Sequence, residues 1–157
     1  MSFSVRLATL DEAPIVRRIM QAAFAEYRGA LPVESGAHTE TVEDVLTVMR
    51  RGGAILALDD DRAEEPVGSA RFTLEDEAVY VGRVSVLPTH RRRGIASIMM
   101  RFCEDIAREA RKSRVRIAVR DSLPSNVGLY QALGFELVSI DSHPRGPDRV
   151  WNMIKRV

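Results

Sequence analysis

The sequence predicts an α/β fold in which one mixed, twisted sheet carries helices on both faces. Segments with alternating apolar residues, typical of strands, are interspersed with segments whose apolar residues recur every three or four positions, typical of helices. Three strand patterns follow one another without a helix between them, so the sheet is mixed and not purely parallel. The chain has 157 residues and no visible repeat or linker, which predicts a single domain over residues 1–157.

The first part of the chain is predicted to form a strand and two helices. Residues 3–8 alternate as a half-buried strand does, and Thr9 with Glu12 suits a capping box for the first helix. An irregular segment follows, and the second helix, over 39–51, stops at Gly52-Gly53. The inward face of the first helix is predicted to consist of Val16, Met20, Ala23 and Tyr27.

The remaining elements complete the order β-α-α-β-β-β-α-β-α-β-β. Polar turns separate the strands, the third helix begins near Arg93, and the last helix ends at Gly134. The third helix has the most regular pattern, with an inward stripe predicted at Ile95, Ile98, Met99, Phe102, Ile106 and Ala110. The strands after the second helix are predicted at 54–58, 67–74, 78–87, 115–119, 135–140 and 149–154.

Composition and charge exclude several classes of function. The formal net charge is +1, so nucleic acid and anionic membranes are not the expected partners. No apolar run approaches the ~20 residues of a membrane span, and no secretory signal is visible, so we expect a cytoplasmic protein. Cys103 occupies an apolar position of a helix and is predicted to be a core residue. Three histidines without metal-ligand spacing give no support for a metal site: His38, His90 and His143.

The strongest chemical signal lies in residues 84–97. A strand ends at Pro88, a basic turn follows, and an amphipathic helix begins. The free amides and the positive dipole end of such a helix start suit a bound pyrophosphate. Gly94 and Ala96 leave little bulk, so phosphate oxygens can approach the amides, and at least one guanidinium of Arg91, Arg92 and Arg93 could pair with them. Together these features predict a polyanionic ligand. A solvated basic turn is the competing interpretation.

Two motifs in this half resemble the GNAT superfamily of N-acetyltransferases. The segment Arg91-Arg92-x-Gly94-x-Ala96, preceded by Val84-x-Val86-x-Pro88, is similar to the signature motif of that family. A second segment, Asn126-Val-Gly-Leu-Tyr130-Gln-Ala-Leu-Gly134-Phe135, resembles the element that follows the next strand in the family. The resemblance implies a GNAT-like fold in which the fourth and fifth strands splay apart. It also implies acetyl-CoA as co-substrate, with no metal.

The resemblance assigns roles to individual residues. The main chain of Val84 and Val86 would bind the pantetheine amides, and Tyr130 would be the general acid that protonates the departing thiolate. A core tyrosine is the competing interpretation of Tyr130. Asn126 would contact the cofactor or cap the short helix. The pyrophosphate would be bound by the turn and the first residues of the helix: Arg91, Arg92, Arg93, Gly94, Ile95, Ala96 and Ser97.

The general base and the acceptor are left open. Some family members carry a glutamate at the position of Tyr80, so the base could be Tyr80, Glu26, Glu34 or water. The acceptor site is expected between the irregular loop 28–38 and the loop 141–149, because these are the longest loops. Four carboxylates could attract a cationic amine there, although each is more typical of solvated surface: Glu34, Glu40, Asp141 and Asp148.

The function implied is transfer of an acetyl group from acetyl-CoA to a primary amine of a small molecule or protein, by direct attack on the thioester. The alternative is a sensor module that binds acyl-CoA without turnover, an interpretation that the absent glutamate keeps open. The family often dimerises through its C-terminal strands, and a homodimer is open here too. The acyl chain preference is not predicted.

Overall fold

The computed structural model describes residues 2–157, and its strands form one seven-stranded sheet in the order β1-β2-β3-β4-β5-β7-β6. All neighbouring strands are antiparallel except β4 and β5, which are parallel. The predicted mixed sheet is therefore confirmed. The strands are β1 (Phe3–Leu7), β2 (Gly52–Asp59), β3 (Glu65–Leu74), β4 (Ala78–Val86), β5 (Arg114–Arg120), β6 (Glu136–Ser142) and β7 (Arg149–Arg156).

Four helices connect these strands in the predicted order. They are α1 (Ala13–Phe24), α2 (Val42–Arg50), α3 (Ile95–Glu109) and α4 (Pro124–Ala132). Within the described residues, no helix is long and apolar enough to cross a membrane. Short 3₁₀ turns precede or follow the helices and strands at Leu10–Glu12, Ala25–Tyr27, Gly36–Thr39, Asp60–Arg62 and Pro88–His90.

The helices cover both faces of the sheet, as predicted. Alternate residues of β2 enter two separate cores, because successive side chains of a strand point to opposite faces. Leu56 and Leu58 pack in the core that contains α1 and α2, whereas Ile55 and Ala57 pack in the core that contains α3. Both sets are almost completely buried.

The fourth and fifth strands separate, as the family resemblance implied. They pair only at Ala78 with Arg114, Val79 with Val115 and Tyr80 with Arg116. Beyond Tyr80, β4 has no partner on that side, so a gap opens between the two halves of the sheet. On its other side β4 bulges, because Ser85 pairs with Ser69 whereas Gly82 pairs with Arg71, which leaves two residues opposite one. 

Arg83 lies in this bulge with a left-handed φ of 50°. That conformation is uncommon for residues other than glycine.

Several predicted boundaries in the first half were wrong. Residues 52 and 53 belong to β2 and do not merely stop α2. A Cβ at Gly52 would clash with the carbonyl oxygen of Phe72 on β3, so only glycine lets the strands approach here. The first helix ends at Phe24, so Tyr27 lies in the following 3₁₀ turn. The second begins at Val42, where Thr41 accepts a hydrogen bond from the Asp44 amide at 3.1 Å.

The inward stripe of α3 was also partly wrong. Ile95 and Met99 are buried as predicted, but Ile98, Phe102 and Ile106 are only half-buried. The fully inward positions further along are Met100, Cys103, Glu104 and Ala107. Glu104 can face inward because Lys155 on β7 lies 3.2 Å from its carboxylate and compensates its charge. A hydrophobicity pattern assigns a glutamate such as Glu104 to the surface. The predicted stripe was therefore displaced by about one residue from the observed one.

Candidate active site

Two adjoining cavities lie along the gap between β4 and β5. We call the larger one, of about 480 Å³, the helix cavity, because it includes the start of α3. We call the smaller one, of about 270 Å³, the loop cavity. Four residues line both cavities and mark their junction: Phe24, Val84, Asn126 and Tyr130.

Nearly all of the predicted site residues line the helix cavity. Arg93 does not line it, although its neighbours in the turn do. The lining also includes residues that sequence reasoning missed, among them Phe24, Tyr27 and Ser125. The predicted residues that line it are Val84, Val86, Arg91, Arg92, Gly94, Ile95, Ala96, Ser97, Asn126 and Tyr130.

The start of α3 presents unpaired amides to this cavity. The first hydrogen bond into the helix is donated by the amide of Ile98 to the carbonyl of Gly94, at 3.2 Å. The amides before it, those of Ile95, Ala96 and Ser97, have no helical acceptor and carry the positive end of the helix dipole. Gly94 has a left-handed φ of 78°, and a Cβ added there would meet nothing within 4 Å. The space in front of these amides is therefore open to an anion.

The three arginines of the turn differ in whether their side chains are paired within the protein. Arg91 donates from Nη1 to Glu26 Oε1 at 2.6 Å and from Nη2 to the Ala23 carbonyl at 3.0 Å, so its side chain fastens the turn to α1. Arg92 and Arg93 are exposed and form no ion pair within residues 2–157. Of the three, Arg92 is both free and in the lining of the cavity. A guanidinium contact to a ligand in the cavity is thus available from Arg92.

A buried His90–Asp59 pair holds the turn from behind. His90 Nε2 lies 3.0 Å from Asp59 Oδ2, and the Thr89 hydroxyl lies 2.8 Å from Nδ1. Because a carboxylate only accepts, Nε2 is the donor in this pair. The pair joins the end of β2 to the turn before α3. Sequence reasoning missed it, since the two residues are 31 positions apart and neither belongs to a local motif.

Tyr130 lies at the junction of the two cavities. Its side chain is buried, and its ring packs edge-to-face on Phe135 with centroids 5.7 Å apart. Burial raises the pKa of the phenol well above its ordinary value, with smaller contributions from Cys103, Tyr27 and Tyr80. No hydrogen bond within residues 2–157 involves its hydroxyl. Tyr130 is therefore a protonated donor that faces the cavities without an internal partner.

Asn126 does not cap α4, so that part of the prediction was wrong. The N-cap position is Leu123, and Asn126 lies in the first turn, with its amide bonded to the Leu123 carbonyl at 3.0 Å. Its side chain is instead near Tyr27, whose pKa burial raises and Asn126 partly lowers. Asn126 lines both cavities, which leaves contact with a ligand as its remaining predicted role.

The loop cavity lies between the two loops expected to border the acceptor. Leu31, Ser35 and Gly36 come from the first loop, and His143 and Arg145 come from the second. The loops are also linked directly, because Arg145 donates to the Glu34 carbonyl at 3.1 Å.

The charged side chains of this cavity are cationic. Arg83, Arg120 and Arg145 line it, and no aspartate or glutamate of the described chain does. The expectation that Glu40 and Asp148 are solvated surface was wrong. Glu40 binds Arg71 through both carboxylate oxygens, and buried Asp148 accepts from Arg120 at 3.1 Å. Both carboxylates are therefore occupied by arginines of the fold.

The candidates for the general base lie in different places. Tyr80 lines the loop cavity, with the Arg116 guanidinium 4.3 Å above its ring centroid. Glu26 lines the helix cavity and is paired with Arg91. Glu34 accepts from the Gly29 amide at 2.6 Å and does not line the loop cavity. No carboxylate among residues 2–157 therefore faces the loop cavity as a base.

Residues 16–135 match the sequence profile described as the Acetyltransferase (GNAT) family. The chain belongs to the GNAT family. The match spans the gap between the strands, the turn and α4, so it includes every predicted site residue. Members of this family are acetyltransferases, and the family assignment made from the two motifs is confirmed.

Solved structures share the GNAT fold over essentially the whole chain. The PaiA N-acetyltransferase of Thermoplasma acidophilum, in complex with coenzyme A, aligns over 100% of both chains with a TM-score of 0.81 and 14% identity. The ribosomal-protein-S18-alanine N-acetyltransferase of Escherichia coli aligns over 99% of this chain and 94% of its own, with a TM-score of 0.78 and 15% identity. The yncA protein of Salmonella typhimurium, with acetyl-CoA, aligns over 99% and 94%, with a TM-score of 0.75 and 16% identity. 

Of the histidines, His90 lines the helix cavity and His143 lines the loop cavity. Within residues 2–157, no group of three or more His, Cys, Asp or Glu side chains is arranged to hold a metal ion. Cys103 is fully buried, and burial raises the pKa of its thiol to about 12. The thiol is therefore protonated at neutral pH and belongs to the core, as predicted.

Proposed function

We propose that this GNAT protein transfers an acetyl group from acetyl-CoA to a primary amine. The observation that carries the proposal is the position of Tyr130, which lines both cavities and so would meet a thioester held between them. The solved relatives that contain coenzyme A or acetyl-CoA support the choice of co-substrate.

The helix cavity has the features that the phosphate end of acetyl-CoA requires. The amides of Ile95, Ala96 and Ser97 would bind the pyrophosphate, the Ser97 hydroxyl could add a donor, and Arg92 would add charge. Arg91 would contribute its main chain, since its side chain is paired with Glu26. We assign Arg93 at most a peripheral role, because its side chain does not line the cavity.

The unpaired side of β4 suits the pantetheine arm. An extended arm with two amides can add to a free strand edge much as a peptide strand does. The backbone of Val84 and Val86 would supply the hydrogen bonds, in the stretch that β5 leaves unpaired. Asn126 would contact the arm from α4.

Acetyl-CoA supplies an activated acetyl carbon. The amine would reach that carbon through the loop cavity, and the reaction would require the transfer of two protons from its nitrogen. The amine nitrogen would attack the carbonyl carbon to form the C–N bond, and the tetrahedral intermediate would then collapse with cleavage of the C–S bond. Tyr130 would donate its proton to the leaving sulfur, and the proton released by the new amide nitrogen would return to the Tyr130 oxygen. An alkylammonium has a pKa of about 10, so the amine must lose a proton before it attacks. We assign that proton to water, because no carboxylate of the described residues 2–157 lines the loop cavity.

The first test combines binding and turnover. Acetyl-CoA is expected to raise the thermal stability of the wild type, and a panel of primary amines is expected to release coenzyme A. Tyr130→Phe should lower kcat by about 10²-fold or more. The melting temperature should stay within about 2 °C, because the lost hydroxyl has no hydrogen-bond partner among residues 2–157. Tyr27→Phe, in the same cavity, is the matched control and should keep most of the activity.

The results separate the enzyme from the alternative of an acyl-CoA sensor. Binding of acetyl-CoA without coenzyme A release across a broad panel would favour the sensor. Full activity of Tyr130→Phe would remove Tyr130 as the acid. If acetyl-CoA and coenzyme A both leave the melting temperature unchanged, the co-substrate assignment is wrong.

A further inference from the structure

The charge of the loop cavity indicates which amines could enter it. Three arginines line this cavity, and no carboxylate among residues 2–157 lines it with them. A positive lining disfavours a polyamine or lysine-like acceptor, whose additional ammonium groups would be repelled. An acceptor with an anionic group would be attracted instead.

The three arginines are not equally available. Arg120 donates to Asp148 at 3.1 Å and to the Val33 carbonyl at 2.8 Å, so its charge is balanced within the fold. Arg145 donates only to the Glu34 carbonyl through its side chain and has no carboxylate partner within residues 2–157. 

Arg83 is poorly compensated. Its Nη2 lies 3.4 Å from Glu40 Oε1, but that carboxylate is already bound by both Nη atoms of Arg71. Its Nε is buried without a hydrogen-bond partner. Two guanidiniums therefore share one carboxylate, and one positive charge remains beside the cavity. Burial lowers the pKa of Arg83, which reflects the cost of holding this charge away from water.

Backbone and neighbours fix Arg83 in this position. It occupies the β4 bulge with its left-handed φ, directly before Val84 at the junction of the cavities. A Cβ added at Gly36 would lie 3.0 Å from Arg83 Nη2, so the first loop packs closely over the guanidinium. His143 on the opposite loop has a pKa lowered by desolvation, Arg120 and Arg145, in agreement with a positive local field.

We propose that the acceptor is a small primary amine that carries an anionic oxygen group, a carboxylate or a phosphate, bound by Arg83 with help from Arg145. The inference rests on the proposed acetyl transfer and names the substrate class of that site. The cavity volume of about 270 Å³ favours a small molecule, since it lies just below the ~300–1,000 Å³ of typical ligand pockets. The planar guanidinium of Arg83 matches either oxygen group.

The test compares matched amines that differ only in the second group. An aminoalkyl carboxylate, an aminoalkyl phosphate, the corresponding carboxamide and a diamine of equal chain length are assayed for coenzyme A release. For the wild type, kcat/KM of at least one anionic amine should exceed that of the carboxamide by about 10- to 100-fold. The ratio between the two anionic amines identifies the preferred group.

Variants then locate the source of the preference. Arg83→Gln should bring the ratio of anionic amine to carboxamide close to one, mainly through the KM of the amine. Arg83→Lys, which keeps a positive charge, should retain part of the preference for the anionic amine over the carboxamide. Arg50→Gln removes an equal charge from the surface pair with Glu43 and should keep the wild-type ratio. The KM of acetyl-CoA is measured in each variant, since the co-substrate is itself an anion.

Each outcome bears on one hypothesis. Turnover of the carboxamide or the diamine at least as fast as both anionic amines would overturn the inference and leave the proposed function standing. A change in Arg83→Gln confined to the KM of acetyl-CoA would also overturn it. If the wild type neither binds acetyl-CoA nor releases coenzyme A with any amine, the proposed function fails, and the substrate class fails with it.

Discussion

At the scale of single residues, the protonation state of Tyr130 decides what it can do. A phenol with an ordinary pKa of about 10 is protonated at neutral pH, and burial of Tyr130 raises its pKa further. The phenol therefore stays protonated at neutral pH, so Tyr130 can donate a proton and is a poor base. Tyr80 lies on the far side of the junction, in the loop cavity.

The pH dependence of activity follows from the pKa of the amine and the raised pKa of Tyr130. With a simple alkylamine, kcat/KM should rise about tenfold per pH unit from pH 7 to 9, because the fraction of neutral amine rises. The activity should not fall before pH 10, because a raised pKa keeps Tyr130 protonated beyond the ordinary value. Initial rates from pH 7 to 10.5 measure this. A descending limb centred below pH 9 would contradict it.

Gly94 gives a second prediction at this scale. Its left-handed φ makes any side chain strained, but an added Cβ would meet only the open space in front of the α3 amides. Gly94→Ala should lower the free energy of unfolding by about 1 kcal/mol and raise the Kd of acetyl-CoA by about tenfold, since the methyl group occupies the space for phosphate.

Gly29→Ala is the matched control for Gly94→Ala. Gly29 has a φ of 74° and nothing within 4 Å of an added Cβ, but it does not line the helix cavity. The two variants should lose similar stability, and only Gly94→Ala should lose affinity. Equal Kd values for acetyl-CoA in both, measured by calorimetry, would show that no phosphate lies at Gly94.

At the scale of elements, sequence periodicity predicted the order of strands and helices but not their contacts. The α3 stripe was rotated because Glu104 reads as a surface residue, and its partner Lys155 is 51 positions away. The separation of β4 from β5 came only from the family resemblance, since Val81 and Val84 fit an ordinary strand. The cationic loop cavity had no local signal, because its arginines come from β4, β5 and a distant loop.

The start of the first helical segment offers a stability prediction at this scale. Glu12 accepts from the Thr9 amide at 2.9 Å and from both Nη atoms of Arg6 at 2.7 Å. The Arg6 contact is the largest cause that lowers the pKa of Glu12, to about 2. Glu12→Gln should lower the free energy of unfolding by about 1 kcal/mol at pH 7.

The pH dependence of this effect has a definite sign. A carboxylate with a lowered pKa in the folded state stabilises the fold above its unfolded pKa, and the effect is lost as pH falls. For Glu12 the difference between wild type and Glu12→Gln should therefore shrink from pH 4.5 towards pH 2. Denaturant unfolding at several pH values measures it, with the exposed Glu109→Gln as control. A difference that persists unchanged at pH 2 would assign the effect to something other than charge.

At the scale of the whole molecule, the sheet consists of two halves joined along a short seam. Strands β1 to β4 form one half and β5 to β7 form the other, and within residues 2–157 only three β-ladder pairs join the two halves. Arg116 reinforces the closed end, where it binds both carboxylate oxygens of Glu75, at 2.9 and 2.8 Å, and stacks on Tyr80. The open end contains the two cavities, so a ligand bound there would contact both halves.

Acetyl-CoA should therefore act as a bridge between the halves of the sheet. At 100 times its Kd it should stabilise the fold by about 2.7 kcal/mol, or roughly 5–10 °C in melting temperature. Hydrogen exchange should slow at the amides of 91–97 and in β4 beyond Tyr80, which have no hydrogen-bond partner on the cavity side within the described part of the chain. Strand β1, at the far edge of the sheet, is the internal control and should change only as far as global stability does. Protection confined to the loop cavity, with residues 91–97 unchanged, would place the ligand elsewhere and contradict the pyrophosphate site.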